Sequence, residues 1–173
     1  MILSVETLKS RVNCNDSDAQ ILAKLEAIEA VIRSYTNNNF QQRGIRFRGF
    51  SEGSGVYGAP QFFAEGDTVQ ISSQYGVNDG LYEVVGVYAD HLELDRPLMA
   101  VDDNLVTKVS YPADVVQCAL DLFSWKQSMG DKVGVKSETL SRHSVTYEDS
   151  ATLFMGYPIG ILKGLDLHRK ARC

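Results

Sequence analysis

The sequence predicts an α+β chain: a mainly α-helical bundle body carrying an inserted small β-barrel. Three observations carry that expectation. Apolar residues recur at three- and four-residue steps before residue 43 and again after residue 110. Between them the period shortens to β-branched and aromatic runs punctuated by glycine. The charge changes too: residues 44–108 hold ten acids against four bases, while both flanks are close to neutral. The expected division is a body of 1–43 and 110–173 around an insert of 44–109.

Ser4 is placed to cap a short helix through about Arg11, with Val5, Leu8 and Val12 on one side. "NCNDSD" is turn material, and Asp16 or Ser17 caps a second helix. Ile21, Leu25, Ile28, Ile32 and Tyr35 form its single apolar stripe, thickened by Leu22 and Val31 and stopped by the asparagines at 37–39. In the middle third, "DTVQIS", "GLYEVVGVY", "HLELD" and "LVTKVS" read as strands, with "NDG" at 78–80 a tight turn between two of them. That many short strands in so few residues suggests a barrel of the SH3-like or OB-like kind. Pro112 suits the first turn of a third helix, whose apolar face is Val115, Val116, Ala119, Leu120 and Phe123 and which Gly130 and Gly134 close. Residues 137–148, "SETLSRHSVTYE", alternate like an extended arm with Leu140, Val145 and Tyr147 apolar, a pattern suited to strand addition on a neighbouring subunit. Pro158 opens a last helix burying Ile161, Leu162, Leu165 and Leu167.

Chemistry is harder to find. Gly53, Gly55 and Gly58 have the G-x-G-x-x-G spacing of a phosphate loop, but no apolar strand precedes them and no helix comes after. They read as a flexible surface loop entering the insert. Cys14, Cys118 and Cys173 are far apart and odd in number, which disfavours disulfides and metal knuckles. His91, His143 and His168 share no metal-ligand spacing. Ser141 and His143 alternate toward one face, yet no carboxylate is placed behind the histidine. "VDDN" at 101–104 lacks calcium-loop spacing and reads as a loop, and Trp125 reads as core or interface. The opening residues have no signal-peptide pattern, and no apolar run has the length of a membrane span. These readings carry no catalytic, cofactor-binding or metal residue, and the function is expected to lie in surfaces.

Taken in order, the segments resemble the head–tail connector (adaptor, head-completion) proteins of long-tailed bacteriophages. "TLKSRVNCNDSDAQILAKLEAIEAVIRSYTNNNF" is similar to that family's opening, with a short helix, an acidic turn and a long amphipathic helix ending in an aromatic residue. "YPADVVQCALDLFSWKQ", the "SET" arm with "VTY", and "YPIGILKGLDLHRKAR" resemble its later helix, arm and closing helix. "FAEGDTVQISSQYGVNDGLYEVVGVYADHLELD" resembles a β insert of its longer members. The resemblance implies a non-enzymatic virion neck protein without a cofactor, assembled in the bacterial host cytoplasm. Its partners would be copies of itself in a dodecameric ring, the portal protein, the next neck or stopper protein, and genomic DNA passing through; no membrane is involved. It also implies portal contact by the C-terminal segment, here His168, Arg169, Lys170 and Arg172, a basic cluster left unordered until a partner arrives. A near-neutral to acidic ring would let DNA slide, because gripping phosphates takes clustered Lys and Arg. Two other classes compete: a small-barrel nucleic-acid-binding regulator, which net charge −5 disfavours, and a small hydrolase built on Ser141 and His143.

Overall fold

The computed structural model describes residues 1–129, 137–140, 143–146 and 153–171. The chain divides into two compact units: Met1 with Asn39–Tyr111, and Ile2–Asn38 with Pro112–Cys173.

The first unit is a closed antiparallel barrel in the order β1(Gln41–Glu52), β2(Gly55–Tyr57), β5(His91–Leu94), β4(Gly80–Val87), β3(Thr68–Ser73), β6(Val101–Val109), returning to β1. Val56, Val69, Ile71, Val84, Leu92, Leu94, Leu98 and Val106 fill it, with Phe47, Phe63, Tyr82 and Val87 packed alongside. Closure leaves no long open edge. Where β4 outruns β5, side chains serve instead: Asp95 Oδ1 accepts from the Glu83 N–H at 3.0 Å, and Arg96 donates to the Leu81 carbonyl.

The glycine spacing belongs to the β1–β2 hairpin, which corrects the expectation of a flexible loop. Gly53 turns the chain at φ 60°, and a Cβ at Gly58 would lie 2.8 Å from the Arg48 carbonyl and 2.6 Å from the Phe47 ring. "NDG" is not a two-residue turn either. The β3–β4 loop runs from Gln74 to Asp79, Gly76 takes the positive φ, and Asn78 points inward. "VDDN" is the start of β6.

In the second unit, α1(Val5–Arg11) is capped by Ser4 and α2(Asp18–Thr36) by Ser17. Ser17 Oγ accepts from the Gln20 N–H at 3.4 Å while Gln20 Oε1 accepts from the Ser17 N–H at 2.9 Å, a reciprocal capping box. Asn37, at φ 48°, ends α2 in the left-handed region. Ile21, Leu25, Ile28, Val31 and Ile32 are buried, but Leu22 faces solvent. α3(Ala113–Met129) buries Val115, Cys118, Ala119, Leu120, Leu122 and Phe123, with Val116 only half-buried. Gly130 and Gly134 lie outside the described residues. β7(Ser137–Leu140) and β8(His143–Thr146) pair as a hairpin, and β9(Leu153–Phe154) pairs with β10(Tyr157–Pro158).

The expected closing helix is a single α turn, α4(Ile159–Leu162), running into a 3₁₀ segment, Lys163–His168. Gly160 and Gly164 fall within it, and each glycine costs a helix roughly 1 kcal/mol relative to alanine. Leu162 and Leu165 are buried, but Leu167 is 95% exposed. A mainly helical bundle body is therefore overturned: among the described residues helices are few, two of the four are short, and the six-stranded barrel makes the chain mixed α/β. No helix among the described residues is long and apolar enough to cross a membrane.

Candidate functional site

The basic tail is built into the helical unit. Asn37 Nδ2 donates to the Lys170 and Ala171 carbonyls at 3.3 and 3.1 Å, and Asn38 Nδ2 to the His168 carbonyl at 3.1 Å. The Lys170 N–H donates to the Thr36 carbonyl at 2.8 Å. The asparagines that end α2 thus also clamp the tail. His168 Nε2 lies 2.6 Å from Asp114 Oδ2, and this hydrogen bond holds the Asp114 carboxyl below its usual range. The Arg169 guanidinium sits 5.2 Å over the Tyr35 ring, whose hydroxyl donates to Asp166 Oδ1 at 2.8 Å. A tail left unordered until a partner arrives does not describe residues 168–171; Arg172 lies outside the described residues.

The arm positions split. Register pairs Glu138 with Val145 and Leu140 with His143, so positions 138, 140, 143 and 145 share one face of the hairpin. Tyr147 and Ser141 lie outside the described residues. Trp125 is half-buried, its ring centroid 6.1 Å from that of Tyr157.

Two barrel features were not singled out from the sequence. On the outer wall Phe50, Tyr57, His91 and Tyr88 stack in series, at 4.9, 4.8 and 4.4 Å between ring centroids and interplanar angles of 9°, 24° and 7°. The registers Phe50↔Tyr57 and Tyr57↔His91 create this ladder. The inner faces cover one another, while the end rings Phe50 and Tyr88 are 47% and 49% exposed. Nearby, Arg48 Nη1 is committed to both Asp103 oxygens at 2.8 and 2.6 Å.

The second feature is a buried polar knot at one end of the barrel. Asn78, 2% exposed, donates through Nδ2 to the Met99 carbonyl (2.9 Å), Ser51 Oγ (3.2 Å) and Asn104 Oδ1 (3.2 Å). Its Oδ1 accepts from the Met99 N–H at 2.9 Å. Asn104 Nδ2 reaches Ser51 Oγ and the Val101 carbonyl at 3.1 Å each. A satisfied buried network of this kind rigidifies what it joins. Here it joins the β3–β4 loop to the segment between β5 and β6, and both present large apolar side chains to solvent: Tyr75 at 74%, Val77 at 49% and Met99 at 65% exposure.

Cys118 is buried on the inner face of α3, and its thiol is pushed up to about 11 by burial, then by the charges of Asp121 and Asp114. That is the profile of an inert thiol. Among the described residues, no three of His, Cys, Asp and Glu are grouped to hold a metal ion.

No protein-family model matches the chain, and no curated protein matches it.

Proposed function

We propose that the chain is a structural neck protein of a long-tailed bacteriophage, forming a ring beneath the portal that extends the DNA channel and joins head to tail. The order of segments at both chain ends supports this reading, and the observation that carries it is the β7–β8 hairpin. Among the described residues its sheet has only two strands, so both outer edges lack a ladder partner. A lone two-stranded hairpin is marginal in water, and a third strand stabilises it. A neighbouring copy supplies that strand by edge addition. Head, portal and ring would then engage surfaces, with no group of this chain doing covalent chemistry.

The test is addition of the purified chain to DNA-filled heads that carry a portal but no neck, followed by sedimentation and imaging. A ring of extra density below the portal is expected. Ser144→Pro, which removes one backbone donor from the arm, is expected to weaken ring formation at least about tenfold, as losing a strand-addition contact does. Heads that sediment without the chain overturn the reading.

A further inference from the structure

The exposed trio at the knotted end of the barrel has an unusual setting. Large apolar side chains at a loop tip ordinarily turn inward or stay mobile, because a flexible loop loses entropy on docking. Tyr75, Val77 and Met99 are exposed instead, on a backbone that hydrogen bonds hold. Asn78 ties the backbone of Met99 at both its N–H and its carbonyl, and Asp79 Oδ1 fixes the other side of the loop by accepting from the Ser73 N–H at 2.7 Å. The trio is therefore a preorganised apolar knob. The charged residues adjoining the knot are mostly acids. Glu52 follows Ser51, Asp79 follows Asn78 and Asp102 follows Val101, and all three are exposed.

An opposite surface occurs in the helical unit. Leu167 is 95% exposed on a segment that the Asn37–Asn38 clamp holds still. In 3₁₀ geometry residues three apart eclipse, so Leu167 stands over Gly164, which leaves it an open surround. Lys163 and Lys170 flank it, both exposed and without an ion pair among the described residues. His168 and Arg169, by contrast, are committed to Asp114 and Asp166.

We propose that the knob of one copy docks on the Leu167 surface of a second copy. The pairing sets an apolar knob with an acidic rim against an apolar point with basic flanks. Because the two surfaces differ, the contact is heterologous, the kind that propagates and closes into a ring when the rotation allows. The proposal rests on the ring reading and names a contact within it. It also moves the open charge of the tail, Lys170, from the portal to the neighbouring subunit.

The test uses the full chain in sedimentation equilibrium. One variant removes the knob (Tyr75→Ser, Val77→Ser, Met99→Ser) and the other spoils the opposite surface (Leu167→Asp). Each alone is expected to weaken self-association at least about tenfold, as removal of an interface centre does. The deciding sample is their equimolar mixture. Each pair then has one intact knob and one intact Leu167 surface, so the mixture forms heterodimers and nothing larger. Should the knob variant misfold by circular dichroism, Leu167→Asp mixed with the native chain carries the test, because it loses no packing. Its intact knob caps native assemblies, so their mean size must fall. No heterodimer, a Leu167→Asp chain that associates like the native one, or a native chain monomeric up to about 0.1 mM, a roughly 5 kcal/mol contact, each overturns the contact. The two readings fail separately. A ring on heads that ignores both variants keeps the connector and removes this contact, whereas self-association through it without head binding does the reverse.

Discussion

Asn78 shows how one buried side chain decides what a surface can do. It is central to the knot that joins two loops, and it is 2% exposed with both ends of its amide bonded. Asn78→Ala would strand the Met99 N–H and take the Asn78 donor from Asn104 Oδ1, while the Met99 carbonyl keeps the Ser51 hydroxyl at 2.6 Å. Leaving buried polar groups unpaired costs about 1–3 kcal/mol apiece, so a loss of about 2–4 kcal/mol is expected in urea unfolding, with the m-value unchanged. A loss below about 0.5 kcal/mol, the range of ordinary surface changes, would mean the knot is not what holds the tip. Cys118 gives a pH test at the same scale. Its folded pKa of about 11 lies above the ordinary 9 because burial penalises the thiolate. Between those values the unfolded chain has released the proton and the folded chain retains it, so stability must fall as pH rises. Tyr35 and Tyr157 are raised as well and share the alkaline limb, so the informative quantity is a difference. Relative to the native chain, Cys118→Ala is expected to lose roughly 2 kcal/mol less between pH 8 and 11. Parallel curves for the two chains would show that the thiol ionises freely.

Elements were legible where their cause is local. α2 is readable because Ser17, Gln20 and the i, i+3/i+4 stripe are all within one segment, and the short strands β3 to β6 are readable from period-2 runs between glycines. β1 was not. Gln41, Gln42, Arg43, Arg46 and Arg48 give it the look of a polar linker, and its strand character comes from pairing with β6 and β2, residues 101–109 and 55–57. Tertiary pairing outweighed propensity there. The closing helix failed in the opposite direction. Its apolar pattern was right at Leu162 and Leu165, but two glycines and the chain's turn left a 3₁₀ segment with Leu167 outside. The candidate surfaces follow the same division. The basic residues of the tail are obvious in the sequence, whereas the clamp that orders them reaches across more than a hundred residues from Asn37 and Asn38. The knob is invisible in one dimension because Tyr75, Val77 and Met99 look like core residues until Asn78 is seen to occupy the inside position.

For the whole molecule, the question is whether two interiors mean two independent folding units. The barrel interior is a set of valines, leucines and one isoleucine drawn from residues 56–106. The helical interior uses Leu8, the α2 stripe, the α3 face, Leu162 and Leu165. Chain entry and exit are adjacent: the Ser110 N–H donates to the Phe40 carbonyl at 3.0 Å, and the Phe40 and Tyr111 rings lie 5.0 Å apart. A linker of a few glycines and serines is therefore long enough to replace residues 39–111, since each residue spans up to about 3.5 Å. Met1 belongs to the barrel unit, where its carbonyl accepts from Thr68 Oγ1 at 3.1 Å, so that bond is lost as well without touching the helical interior. The shortened chain is expected to keep its helical far-UV signal and a cooperative thermal transition. Residues 39–111 alone are expected to give a β spectrum and their own transition. Collapse of the helical signal in the shortened chain would show that the helical interior needs the barrel to form. The ring contact would then have to be sought between copies of one indivisible fold, with Asn78→Ala expected to weaken the Leu167 surface as well as the knob.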